Sequence, residues 1–145
     1  MIKELISKTA DVLKSIDGDP DYVARGMAIG VFVGITPTIP FQTALALALA
    51  VLFRGSKPAA ILGIWSGNPI TIPLFYTVSY KLGMLILGRP AVVSSLNQQT
   101  LMDFIQSGAD ICCATIAGGA LLGILPAIAA YYIARKTIPL LRLQT

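Results

Sequence analysis

Two copies of one proline-broken glycine motif constrain this chain more than any other feature. Residues 30–41, GVFVGITPTIPF, match residues 63–74, GIWSGNPITIPL, at an offset of 33, with five identities in twelve positions. Gly30 falls on Gly63, Gly34 on Gly67, and Thr38-Ile39-Pro40 on Thr71-Ile72-Pro73. The register continues outward, pairing Gly26 with Ala59, Leu49 with Leu82, Leu52 with Leu85 and Gly55 with Gly88. The pattern predicts a duplicated unit, with function expected where its two proline turns come together.

The solvent around that unit follows from charge spacing. Residues 26–53, 58–80 and 111–134 carry no charge at all, and each stretch reaches or exceeds the roughly 20 residues that cross a bilayer core. Only 12 % of the chain is charged, about half the share in ordinary globular domains. These stretches predict a single-domain, all-α integral membrane protein, multi-pass. The net charge of +4 comes from Lys and Arg placed singly or in pairs beside apolar segments. That placement excludes a nucleic-acid face and suits contact with anionic membrane lipids.

Residues 1–25 read as an amphipathic helix and a turn. Ile2, Leu5, Ile6, Val12, Leu13 and Ile16 recur at helical spacing, and SIDGDP at 15–20 ends the run with turn chemistry. The helix is expected either at the membrane surface or against the protein's own cytoplasmic face. These residues mix acids with bases and lack the design of a signal peptide.

Residues 26–57 form the first unit, expected as a hairpin. Gly26, Gly30 and Gly34 make one helical stripe along which a second backbone can approach. Pro37 and Pro40 break the run after roughly 16 Å of helix, too short to cross. Broken backbone at membrane depth is tolerated only inside protein or along a wet cavity. Thr36, Thr38 and Gln42 are therefore expected either to satisfy it or to meet a solute. Residues 58–90 repeat the plan, with the break at Asn68-Pro69 and a return limb holding Thr71 and Tyr76.

Residues 91–110 are more polar and read as a second amphipathic segment. Residues 111–134 read as the one plain transmembrane helix, and 135–145 as a basic tail. Two topologies remain open: both units as re-entrant hairpins, as the repeat suggests, or the second as one broken crossing helix, as the charges suggest. The second places the basic tail on the same side as Arg25, in keeping with the positive-inside rule.

ARGMAIGVFVGITPTIPFQ at 24–42 and WSGNPITIPLFY at 65–76 together resemble a bacterial membrane family known as a domain of unknown function, number twenty sixty-two. The matching residues are Gly30, Gly34, Pro37, Pro40 and Gln42, then Asn68, Pro69, Thr71 and Tyr76. The resemblance covers about residues 20–135 and implies an inner-membrane location. It also implies a link to cell-envelope glycans, because members look like stand-alone membrane proteins or appendages of envelope glycosyltransferases. It implies no reaction.

An enzyme is not expected. The chain has no histidine, and neither motif contains an acid or a phosphate-cradling glycine loop. No metal or cofactor is expected either; Cys112 and Cys113 read as small apolar helix residues. The leading expectation is a small transporter, channel or lipid carrier. Its polar site is formed by Thr36, Pro37, Thr38, Pro40, Gln42, Asn68, Pro69, Thr71 and Tyr76, with Arg54 and Lys57 receiving a headgroup. Enclosing a pathway with so few segments calls for a homo-oligomer, most simply a dimer. The alternative is a non-catalytic assembly or anchoring module for envelope glycan enzymes, in which the same polar residues only satisfy backbone.

Overall fold

In the computed structural model the breaks between helices fall where the sequence supplies proline, glycine or short polar residues. The structure describes residues 1–38, 40–65, 67, 70–89 and 101–143, and all regular structure among them is helical. The elements are α1 (Ile2–Ser15), α2 (Pro20–Ile35), α3 (Gln42–Leu52), α4 (Lys57–Ile64), α5 (Thr71–Ile86) and α6 (Leu101–Leu143).

The run SIDGDP separates α1 from α2 by local chemistry. Ile16 is extended, Gly18 takes a φ of 125°, and Pro20 opens α2 where its missing N–H costs nothing. Arg142 of α6 ties the link down by donating to the carbonyls of Ile16 and Gly18, each at 2.8 Å. Beneath it, Ile16, Val23, Ala24, Ala59, Ala134 and Ile138 form one core cluster. Leu13 of α1 packs against this cluster, whereas Ile2 and Ile6 at the start of α1 are exposed.

The glycine stripe sets the next contacts. A Cβ on Gly30 would lie 2.7 Å from the Gly63 Cα, and a Cβ on Gly63 would lie 2.7 Å from the Gly30 Cα. Gly26 meets Ser56 at one end of this seam and Gly34 meets Gly67 at the other, so α2 and α4 run parallel. By contrast α3 runs back alongside α2. Gln42 reaches the Val33 carbonyl at 3.4 Å, and Phe53 accepts from Arg25 at 3.4 Å. Small alanines make the return tight, with Ala46 and Ala50 buried against Val33 and Ala60.

The spine of the fold is α6. Asp21 pairs with Arg135 at 2.8 Å, Phe32 lies at Gly123, and Pro37 lies at Gly119. That order makes α2 antiparallel to α6. On the same helix, Ser79 lies at Gly118 and Gly83 at Ala114, so α5 is antiparallel to α6 as well.

Both α4 and α5 run in the same sense as α2 and hardly touch each other, so the described parts of residues 58–90 take the broken-helix arrangement and not the hairpin. Gly83 and Gly118 seat α5 on α6, main chain against main chain. The plain helix of 111–134 is part of a longer one. Leu101 to Leu143 form a single helix with Pro126 and Pro139 inside it, which absorbs residues 101–110 and most of the basic tail. Residues 91–100 lie outside the described part.

The ends of α3 and α5 share one cap. Gly88 takes φ 64° while Arg89 and Gly88 donate to the Met84 and Leu85 carbonyls at 3.0 and 3.2 Å. Arg54 takes φ 52° while Gly55 and Arg54 donate to Ala50 and Val51 at 2.7 and 3.2 Å. Both are Schellman caps, but only the second places a side chain in the left-handed position that glycine normally fills. Replacing Arg54 with glycine is therefore expected to stabilise the protein by about 1 kcal/mol, read as a higher thermal midpoint in detergent. A lower midpoint would refute the assignment of strain.

Candidate functional site

The first broken turn rests on α6, and Gly67 of the second lies against the end of α2. A Cβ on Gly67 would lie 2.9 Å from the Gly34 carbonyl oxygen, and one on Gly119 would lie 3.3 Å from both the Thr36 Cα and the Ser79 Oγ. The end of α2 thus rests on the middle of the longest helix, beside α5, and the residue closing α4 lies against α2. No charged residue lies among them.

At the first turn, the polar groups serve the backbone. Thr36 is buried, and its hydroxyl donates to the Phe32 carbonyl at 2.9 Å. Thr38 donates to the Thr36 carbonyl at 3.4 Å, while Gln42 reaches back to Val33 as described. The Val33 and Thr36 carbonyls are those that Pro37 and Pro40 leave without a backbone donor, whereas the Phe32 carbonyl also accepts from the Thr36 N–H at 3.1 Å. Pro37 is half-buried against Gly119, and Pro40 is exposed.

At the second turn, Asn68 and Pro69 lie outside the described residues. Gly67 donates to the Ile64 carbonyl at 3.0 Å, closing the end of α4. Thr71 and Tyr76, half-buried in the first turns of α5, each have an interaction of their own.

Sequence reasoning missed Ser79. Its hydroxyl is fully buried at the junction and finds no hydrogen-bond partner among the described residues. An unsatisfied buried hydroxyl costs roughly 1–3 kcal/mol, so its presence calls for a reason. The only sequence signal was a serine set in an apolar helix.

Arg54 and Lys57 do not join the turns. Ser56, between them, packs on Gly26, ten residues before Thr36 and so roughly 15 Å away along α2. They sit instead at the end of the fold that also holds Arg25, Arg135 and Arg142.

That end carries a second feature the sequence did not reveal. Between α2, α3 and α6 lies a groove of about 760 Å³, walled by Ile29, Phe32, Leu49, Phe53, Ile128 and Tyr132 with Arg25 among its lining. The volume falls within the roughly 300–1,000 Å³ of small-molecule sites. The Arg25 guanidinium donates to the carbonyls of Asp21 and Phe53, bridging α2 to the end of α3.

This architecture defines a class of helical protein with two broken elements seated on one helix. That helix is long and apolar enough to cross a membrane within Gly108–Leu143, where its most apolar 18 residues have a mean hydropathy of 2.1. The chain belongs to the family DUF2062, described as uncharacterised protein conserved in bacteria, which matches residues 4–144. No curated protein and no solved structure matches it.

Proposed function

We propose that the chain is a multi-pass protein of the bacterial inner membrane that works as a small transporter, channel or lipid carrier, with its polar site where the two broken turns meet. The observation that carries this reading is the junction itself. The interrupted α2 ends on Gly119, next to a buried hydroxyl with no partner among the described residues, and Gly67 at the end of the interrupted α4 lies against Gly34 one turn away. Broken helices meeting at depth are how membrane transporters place backbone groups at a binding site.

The membrane placement rests on exposure. Only 28 % of the most apolar stretch of α6 is buried within the protein, whereas the core helix of a soluble domain is mostly buried. Leu85, Leu125 and Ile133 are among the apolar side chains facing outward. All basic residues except Lys81 and Arg89 belong to α1 or to the end holding Arg25, which makes that end cytoplasmic.

In this placement α2 and α3 form a re-entrant hairpin. From Arg25 to Thr36 is roughly 16 Å of helix, about half of a 30 Å core, so its tip lies at mid-depth. The broken α4 and α5 then cross together, and α6 crosses back. The meeting of Gly30 with Gly63 and Gly34 with Gly67 supports a duplicated unit whose second limbs have diverged. A homo-oligomer, most simply a dimer, completes the enclosure.

The second reading, an assembly or anchoring module for envelope glycan enzymes, is favoured by Thr36, Thr38 and Gln42 all bonding to their own backbone. Ser79→Ala separates the two. On either reading it raises stability, by about 1 kcal/mol, because it removes an unsatisfied group. Only on the transport reading does it also slow passage across proteoliposomes, assayed with a fluorescent phospholipid and with a panel of small ions. Wild-type vesicles no more permeable than empty ones would sink the transport reading.

A further inference from the structure

We propose that the groove between α2, α3 and α6 binds one anionic phospholipid, with an acyl chain along its apolar walls and the phosphate on Arg25. This assignment rests on the membrane placement proposed above, and it does not require transport.

Charge and position select the occupant. Arg25 bonds only to main-chain carbonyls, at 3.3 Å to Asp21 and 3.4 Å to Phe53, and forms no ion pair among the described residues. The carboxylate nearest in sequence, on Asp21, is engaged elsewhere by Arg135 at 2.8 Å and by the Tyr131 hydroxyl at 3.3 Å. A guanidinium is thus fixed in place with its charge unbalanced. Guanidinium groups take up phosphate oxygens in paired hydrogen bonds.

The walls fit the other half of such a ligand. From Arg25 to Phe32 the groove follows α2 for roughly 10 Å, and every wall residue along it is apolar or aromatic. Arg25 stands immediately before the charge-free stretch 26–53, at the level where headgroups lie if that stretch enters the core. A lipid in the groove would keep the depth it has in the bilayer. A free anion would leave the walls empty, and an uncharged amphiphile would leave Arg25 unpaired.

The test is native mass spectrometry of the purified full chain, taken from vesicles of equal phosphatidylglycerol and phosphatidylcholine. Wild type should retain one phosphatidylglycerol with about tenfold preference, the effect of one charge-assisted contact. Arg25→Gln should bring the preference near unity, and Arg25→Lys should keep most of it. Ala127→Phe and Leu49→Trp fill the groove from opposite walls, and either should remove retention of both lipids. Thermal melting identifies which variants are folded, and two groove fillers guard against loss of one. No retained lipid in wild type, unchanged preference in Arg25→Gln, or full retention in a folded groove-filled variant each overturns the proposal. Failure of the Ser79→Ala flux test would leave these lipid counts unchanged.

Discussion

Gly30→Leu is expected to prevent recovery of a monodisperse, cooperatively melting protein. Gly30 and Gly63 each occupy the space that the other's side chain would need, at 2.7 Å to the facing Cα. Relief cannot come from a side chain moving aside, because the nearest atoms are main chain on both sides. The helices would have to separate, which breaks the contacts of Gly26 with Ser56 and of Gly34 with Gly67 together. Overpacking in a yielding core costs about 1–3 kcal/mol, and a seam built from two backbones lies at or beyond the upper end of that range. Size-exclusion profile and melting midpoint in detergent are the measurements. A folded Gly30→Leu protein with an unchanged midpoint would contradict the seam.

The second large effect is expected at the crossing of α5 and α6. Gly118 is seated against Ser79 and Gly83, while Gly83 is seated against Ala114, again main chain against main chain. Gly118→Leu should therefore detach α5 while leaving the α2 and α4 seam in place. The difference is measurable by hydrogen exchange: protection falls along residues 71–86, whereas residues 26–34 and 57–64 keep theirs. Uniform loss of protection would show that the two contacts are not separable. Loss confined to neither segment would show that α5 does not sit where the structure places it.

Much of this architecture was legible locally. The charge-free stretches marked helices, the SIDGDP run marked the start of α2, and the glycine period marked the face that a second backbone approaches. The two units touch where Gly67 lies against Gly34, while Asn68 and Pro69 of the second turn are outside the described residues. The direction taken after a break was not legible, because it depends on partners far away in sequence. The alanine limb of α3 returns to Val33 and Ala60, while α5 leaves for Ala114 and Gly118.

The same limitation explains the site residues. Thr36, Thr38 and Gln42 are polar at a break, and the sequence allowed them either a solute or their own carbonyls. Arg54 looked like a headgroup ligand, and a left-handed cap is invisible to composition. The groove joins Arg25 to Tyr132 across more than a hundred residues, so no window of sequence contains it.

The position of α6 in the chain also dictates an order of assembly. The seam between α2 and α4 needs only residues up to Gly67 and is free to zip while later segments are still being made. The seats for Asp21, Pro37 and Gly83 all lie on a helix that emerges after them. Until then the face of α2 that meets α6, the face of α5 around Gly83 and the Ser79 hydroxyl lack the helix that covers them in the finished fold. Biogenesis of this protein therefore contains an interval in which the seats on α6 are still missing, and quality-control factors would meet the chain in that state.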